Sequence, residues 1–133
     1  MRLYLDSSAL VKLVLPEPES QALRRYLRRH STDQRVSNEL VRVEVVRAVL
    51  AGGGPSAIVQ SRRWFARLYL IAIDRALLDR AATLAPGSLI RSLDAIHLAT
   101  AQLMGADLRA LVSYDRRMLA IAGTLGLPTA APT

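Results

Sequence analysis

Two aspartates in the sequence directly follow short apolar segments that are typical of buried strands. Asp6 comes after residues 3–5, and Asp115 comes two residues after residues 111–113. Ligands of open parallel sheets bind at the carboxyl ends of the strands, so both carboxylates are predicted to lie at a site-forming edge. The alternative is that each aspartate only caps the helix that follows it.

A third acid, Glu44, falls on a helix predicted from Asn38 or Glu39 to Ala51. At 100° per residue it shares an inward, mainly apolar face with Leu40 and Val41. A carboxylate on such a face costs several kcal/mol unless it is paired, protonated or bound to a cation. The alternative is an ion pair with Arg47 on a partly exposed stripe of the helix.

A fourth acid, Asp94, lies near the start of a helix that is otherwise almost wholly apolar. The alternative to a site role is that it complements the helix dipole at the amino end. His97 follows one turn later. We expect its imidazole to lie in the core or to support a site residue from behind, with direct ligation or proton transfer as the less favoured reading.

The four acids together indicate a divalent metal site. Carboxylates crowded into one pocket raise one another's pKa values, so they remain charged only around a cation. Oxygen ligands without cysteine suit Mg²⁺ or Mn²⁺ better than Zn²⁺. Such ions bind phosphate oxygens, activate water and stabilise a leaving oxygen, which favours phosphodiester hydrolysis. The predicted catalytic and metal-binding residues are Asp6, Glu44, Asp94 and Asp115.

The composition points to an anionic partner. The 133 residues carry 18 basic and 11 acidic side chains, for a net charge of +7, and Lys12 is the only lysine. Guanidinium groups match phosphate oxygens, which favours nucleic acid or an acidic protein segment over a neutral partner. There is no cysteine, which excludes disulfides and thiol catalysis. We expect a cytoplasmic protein without a signal peptide or membrane span, folded as one domain over residues 1–133.

Short apolar strands alternate along the chain with amphipathic helices. Strands are predicted over residues 3–5, 35–37, 68–73 and 111–113. Helices are predicted after Asp6 to about residue 14, and over residues 19–30, 38–51, 55–67, 75–84, 92–104 and 116–125. The composition of residues 68–73 suits an interior strand. This alternation predicts an α/β sandwich around a mostly parallel sheet.

Four segments of the chain resemble the PIN domain, and most closely the VapC toxins of bacterial and archaeal toxin–antitoxin pairs. They are LDSSALVK at residues 5–12, EVVRA at 44–48, SLDAIHLA at 92–99 and VSYDRR at 112–117. The resemblance covers nearly the whole chain in the same order and spacing. The segments around Asp94 and Asp115 are the most specific, because a lone Leu-Asp-Ser-Ser is common.

The resemblance implies a three-layer α/β/α sandwich with a central, mostly parallel sheet. It also implies dependence on Mg²⁺ or Mn²⁺, endonucleolytic RNA cleavage, homodimerisation and inhibition by a VapB-like antitoxin. The four acids match the acidic quartet of the family. Ser7 and Ser113 match hydroxyl positions that support it.

Two other functions remain open from the sequence. One is phosphoryl transfer through an aspartyl phosphate, which also uses a carboxylate after the first strand. Against it, position 8 is Ser8 rather than a second acid, and the only lysine is Lys12, so the late lysine of a receiver domain is absent. The other is a module that binds RNA or an antitoxin without turnover, which explains the charge but not the acids.

Overall fold

A computed structural model describes residues 1–133 and contains five strands and six α-helices. The strands are β1 (Arg2–Leu5), β2 (Gln34–Asn38), β3 (Tyr69–Ile71), β4 (Leu108–Val112) and β5 (Thr129–Ala130). The helices are α1 (Ser7–Val14), α2 (Ser20–Arg29), α3 (Val41–Ala66), α4 (Arg75–Ala82), α5 (Ser92–Gln102) and α6 (Arg116–Thr124), with a 3₁₀ turn at Gly105–Asp107.

All five strands pair in parallel in the order β3-β2-β1-β4-β5. The chain builds β1, β2 and β3 outward in one direction and then returns to place β4 on the other side of β1. The carboxyl ends of β1 and β4 therefore flank the point where the strand order reverses. This is the place where open α/β sheets bind ligands.

Helices cover both faces of the sheet, because successive strand residues point to opposite sides. Leu3 and Leu5 of β1 pack with residues of α1, α2 and α3 in one core cluster. Tyr4, between them, packs on the other face with Leu98 of α5 and Met118 of α6. The predicted α/β/α sandwich with a parallel central sheet is thus confirmed.

One strand prediction was wrong. We expected residues 68–73 to form an interior strand, but β3 is the edge strand, and Tyr69 is 58% exposed. Only β2 pairs with it. A short apolar run satisfies the pattern of an interior strand, yet the position of a strand in its sheet depends on pairing partners that are distant in sequence.

The long helix α3 joins two segments that the sequence predicts as separate helices. Its kink lies at Gly54, whose φ of 64° and ψ of −161° are non-helical, and Pro55 follows. Glycine adopts a positive φ without the steric cost that a Cβ would bring. No helix in the structure combines the length and the apolar character needed to cross a bilayer.

Candidate active site

Asp6 lies at the carboxyl end of the central strand β1 and is 1% exposed. Its Oδ1 accepts hydrogen bonds from the Ser8 hydroxyl at 2.6 Å and from the Ala9 backbone N–H at 3.0 Å. Its Oδ2 accepts one from the Ser113 hydroxyl at 2.5 Å. Burial raises the pKa of Asp6 despite these donors. Asp6 therefore caps α1, as the alternative reading proposed, and also joins two strand ends through Ser113.

Asp94 and Asp115 lie close enough to repel each other. Asp94 is in the first turn of α5, and Asp115 caps α6 by accepting hydrogen bonds from the backbone N–H groups of Arg117 and Met118. Burial raises the pKa of Asp94, and the charge of Asp115 raises it further. The two carboxylates share the Arg91 guanidinium at 3.4 and 3.7 Å. Because the Arg91 side chain is 71% exposed, water screens this attraction strongly.

Glu44, in the first turn of α3, has a different partner from the one that helical spacing suggests. Its Oε1 lies 2.7 Å from Nε2 of His97, and the 20% exposed carboxylate forms no ion pair with Arg47. His97 is buried on α5, and its Nδ1 lies 2.7 Å from the Tyr4 hydroxyl. The expectation that His97 lies in the core is confirmed, and the histidine contacts an acid of the candidate site.

Tyr4 and His97 each lie near more than one of the candidate acids. Burial raises the pKa of the Tyr4 phenol, and the nearby charges of Asp6 and Glu44 add to the increase. A positive charge on His97 would lower the pKa values of Asp6 and Asp94, which places the imidazole near both. No three acidic or imidazole groups converge closely enough in the structure to ligate one ion. His97 is the common neighbour of Asp6, Glu44 and Asp94, and only Asp94 and Asp115 share a cationic partner.

Two supporting residues were not predicted from the sequence: Ser8, which contacts Asp6, and Tyr4, which contacts His97. Ser8, and not Ser7, bonds to Asp6, and its hydroxyl also accepts from the Tyr114 backbone N–H at 2.9 Å. Ser7 is half-buried and its hydroxyl makes no hydrogen bond within the protein. Tyr4 was predicted only as a residue of the buried strand over residues 3–5. Its hydroxyl was the available signal, because a buried tyrosine needs a hydrogen-bond partner.

Comparisons of sequence agree on one family. The family model of the PIN domain matches residues 3–124. The chain is 54% identical over 132 residues to ribonuclease VapC46 of Mycobacterium tuberculosis, covering 98% of both chains. It is 37% identical over 132 residues to ribonuclease VapC47 of the same species, covering 98% of this chain and 96% of that one.

Solved structures share the fold at lower identity. The M. tuberculosis toxin VapC20, described as cleaving the sarcin-ricin loop, superposes with a TM-score of 0.77 at 15% identity, over 98% of this chain and 99% of that one. VapBC2 of Rickettsia felis, solved with a DNA fragment from its promoter, gives a TM-score of 0.78 at 15% identity over the full length of both chains. From the family match and the full-length relatives, the chain belongs to the PIN-domain family as a VapC-like member.

Proposed function

We propose that this chain is an endoribonuclease toxin that hydrolyses RNA phosphodiester bonds with the help of Mg²⁺ or Mn²⁺. The observation that carries the proposal is the pair of Asp94 and Asp115 at the switch point of the sheet, with His97 as the common neighbour of Asp94, Asp6 and Glu44. Relatives named as ribonucleases along the whole chain support it. The geometry by itself is also compatible with other phosphoryl chemistry, so the substrate assignment depends on those relatives.

The donor set fits a hard divalent cation. A raised pKa means that Asp94 is hard to ionise beside Asp115, and a bound cation would relieve this repulsion. Asp6 also has spare capacity, because an ionised carboxylate offers about four acceptor positions and three are filled. Asp94 and Asp115 would hold the metal, and Asp6, which does not converge with them in the structure, would join through Oδ2 only if the carboxylates closed around the ion. When bound, the metal would supply charge stabilisation at the phosphate and a more acidic water.

Glu44 completes the site in this proposal. Its Oε1 is bonded to His97, and Oε2 has no hydrogen bond within the protein. That oxygen would orient the attacking water and accept its proton. Ser8 and Ser113 hold the Asp6 carboxylate in place, while the predicted supporting role of Ser7 has no contact behind it.

Arginines at the edge of the site supply contacts for an RNA backbone. Arg91 touches both Asp94 and Asp115, and the exposed Arg116 and Arg117 begin α6 immediately after Asp115. Guanidinium groups bind phosphate oxygens as planar forks. Single-stranded or looped RNA fits better than a duplex, because a splayed phosphodiester reaches a recessed acidic site more easily.

The proposal extends to partners and location. A VapB-like antitoxin would inhibit the toxin, which is supported by the fold shared with VapBC2 of R. felis. We further propose a homodimer that acts in the cytoplasm, with residues 1–133 as one domain. Size measurements on the purified chain, alone and with its antitoxin, test the proposed homodimer and the proposed toxin–antitoxin complex.

The test of function is cleavage of total RNA by the purified protein with Mg²⁺, with Mn²⁺ and with EDTA. We expect cleavage with either metal and none with EDTA. The Asp6→Asn variant should lose cleavage while its fold is retained, and retained cleavage would exclude the role of Asp6. Binding that is insensitive to EDTA, with no cleavage by any metal, would support a non-catalytic module. A stable complex with a fluoride that mimics the phosphoryl group would support an aspartyl phosphate intermediate instead.

A further inference from the structure

A chain of two hydrogen bonds leads from the hydrophobic core to the candidate active site. The Tyr4 hydroxyl lies 2.7 Å from Nδ1 of His97, and Nε2 of the same ring lies 2.7 Å from Oε1 of Glu44. Tyr4 is fully buried and His97 is 1% exposed, whereas the Glu44 side chain is 20% exposed. The imidazole therefore links a fixed core residue to an acid at the protein surface.

The chemistry of the three groups sets the direction of both bonds. An ionised carboxylate only accepts, so Nε2 must carry the proton that is donated to Glu44. A neutral imidazole with its proton on Nε2 has a bare Nδ1, which accepts from the Tyr4 hydroxyl. The carboxylate of Glu44 thus selects the tautomer in which His97 donates from Nε2, and a hydrogen bond from Tyr4 to Nδ1 supports it.

We propose that His97 is a positioning residue that holds Glu44 by Oε1 and leaves Oε2 for the reacting groups. The inference rests on the proposed role of Glu44. An unrestrained glutamate has three rotatable side-chain bonds, so holding it in one conformation carries an entropic cost. Nothing else in the protein bonds to the carboxylate of Glu44, so the hydrogen bond from His97 is its one polar restraint.

Two amide variants separate the two ends of the imidazole. In His97→Gln the amide nitrogen reaches the place of Nε2 and can still donate to Glu44. In His97→Asn the amide reaches only the place of Nδ1, so the contact with Tyr4 can remain while Glu44 is released. Loss of such a supporting residue costs about 10–100-fold in activity. We expect His97→Asn to lower kcat by this factor with KM for RNA unchanged, and His97→Gln to recover most of the loss.

The tautomer can be measured without metal and without turnover. The chain has two histidines, so ¹⁵N spectra of the metal-free protein need only His30→Asn to assign the ring signals of His97. We expect Nε2 protonated and Nδ1 bare, and we expect Tyr4→Phe to weaken this preference. A bare Nε2 in the parent protein would overturn the inference, whatever the activity, because His97 could then not donate to Glu44.

The Glu44→Gln variant distinguishes failure of the inference from failure of the proposed function. If Glu44→Gln lowers kcat strongly but leaves measurable cleavage, adding His97→Asn to it should change kcat by less than about twofold, since both substitutions disable the same pair of residues. Full cleavage by Glu44→Gln would overturn the role of Glu44 and the inference with it.

If Glu44→Gln is inactive but His97→Asn is fully active, only the inference is wrong. The same holds if His97→Asn and His97→Gln are equally impaired. If no form of the protein cleaves RNA, the proposed function falls, and the tautomer still tests the bond.

Discussion

Buried aspartates at the two opposite edges of the sheet differ in how their charge is neutralised: Asp33 lies at the amino edge, and Asp6 and Asp94 lie at the carboxyl edge. Asp33, before the amino end of β2, bonds to the Arg109 guanidinium and lies 3.3 Å from the Met1 ammonium. The hydrogen bond from Arg109 lowers the pKa of Asp33. At the carboxyl edge, burial raises the pKa of Asp6 and that of Asp94.

The difference supports the proposed placement of a cation at the carboxyl edge of the sheet. Asp33 already has two positive partners, so its charge is satisfied within the protein. Asp94 has only one exposed arginine, which it shares with a second carboxylate. A carboxylate whose pKa is raised by burial and by a neighbouring acid is a candidate for function, whereas a fully paired one is part of the scaffold.

The largest effect should come from Asp94→Asn. The substitution removes one charge from the proposed metal ligands, and we expect RNA cleavage to fall about a thousandfold or more. The metal-free variant should unfold at the same temperature as the parent or a higher one, because one of two repelling charges is gone. Near-normal cleavage at matched protein and metal concentrations would contradict the assignment of Asp94.

Replacing Asp33 by Asn at the amino edge of the sheet should lower stability and leave cleavage unchanged, which is the reverse of the effects expected for Asp94→Asn. Asp33→Asn leaves Arg109 without its carboxylate partner, so we expect a lower midpoint of thermal unfolding. Cleavage per folded molecule should be unchanged, since the residue lies at the far edge of the sheet. If Asp33→Asn lost cleavage while its unfolding midpoint stayed normal, the distinction between the two edges would be wrong.

The two aspartates should also differ in how they link stability to pH. The folded pKa of Asp33 is lowered, so its stabilising contribution is present above the unfolded value of about 3.9 and is lost as the pH falls through the folded pKa. The folded pKa of Asp94 is raised, so its penalty is absent in acid and appears as the pH rises from about 3.9 through the folded pKa.

Unfolding midpoints measured across pH in EDTA check this contrast. At neutral pH, Asp33→Asn should be less stable than the parent and Asp94→Asn at least as stable. Both differences should shrink on acidification, and the difference for Asp94 should shrink at the higher pH. Two differences of the same sign at neutral pH would refute the electrostatic comparison.

A smaller effect should separate two adjacent serines. Ser8→Ala removes a hydrogen bond to the buried Asp6 carboxylate, and we expect a loss of about 1–3 kcal/mol in the free energy of unfolding. Ser7→Ala is the matched control and should change it by less than about 0.5 kcal/mol. Denaturant unfolding of both variants measures the difference, and equal effects would show that the contacts of Ser8 do not matter.

Local sequence patterns predicted four of the five strands, the helical segments, and the edge of the sheet at which Asp6 and Asp115 lie, but not the two-residue strand β5. Both acids follow strands and both also cap the next helix. The local pattern was therefore compatible with a site residue and with a helix cap, and it could not separate the two. The edge position of β3 could not be predicted, because an apolar segment has the same pattern with one pairing neighbour or two.

The contacts behind the site could not be predicted from spacing. Glu44 and His97 are 53 positions apart, and Tyr4 and His97 are 93 apart. Helical periodicity offered Arg47 as a partner for Glu44, since it considers only neighbours on one helix. The tertiary fold supplied a nearer one.

The most direct test of the metal site is the unfolding midpoint as Mn²⁺ or Mg²⁺ is titrated into the parent, Asp94→Asn and Asp33→Asn. A ligand that binds only the folded state at a hundred times its Kd stabilises by about 2.7 kcal/mol. We predict that the midpoint rises with metal in the parent and in Asp33→Asn, and stays flat in Asp94→Asn. An equal rise in all three proteins, or no rise in the parent, would contradict a divalent cation site at the carboxyl edge of the sheet.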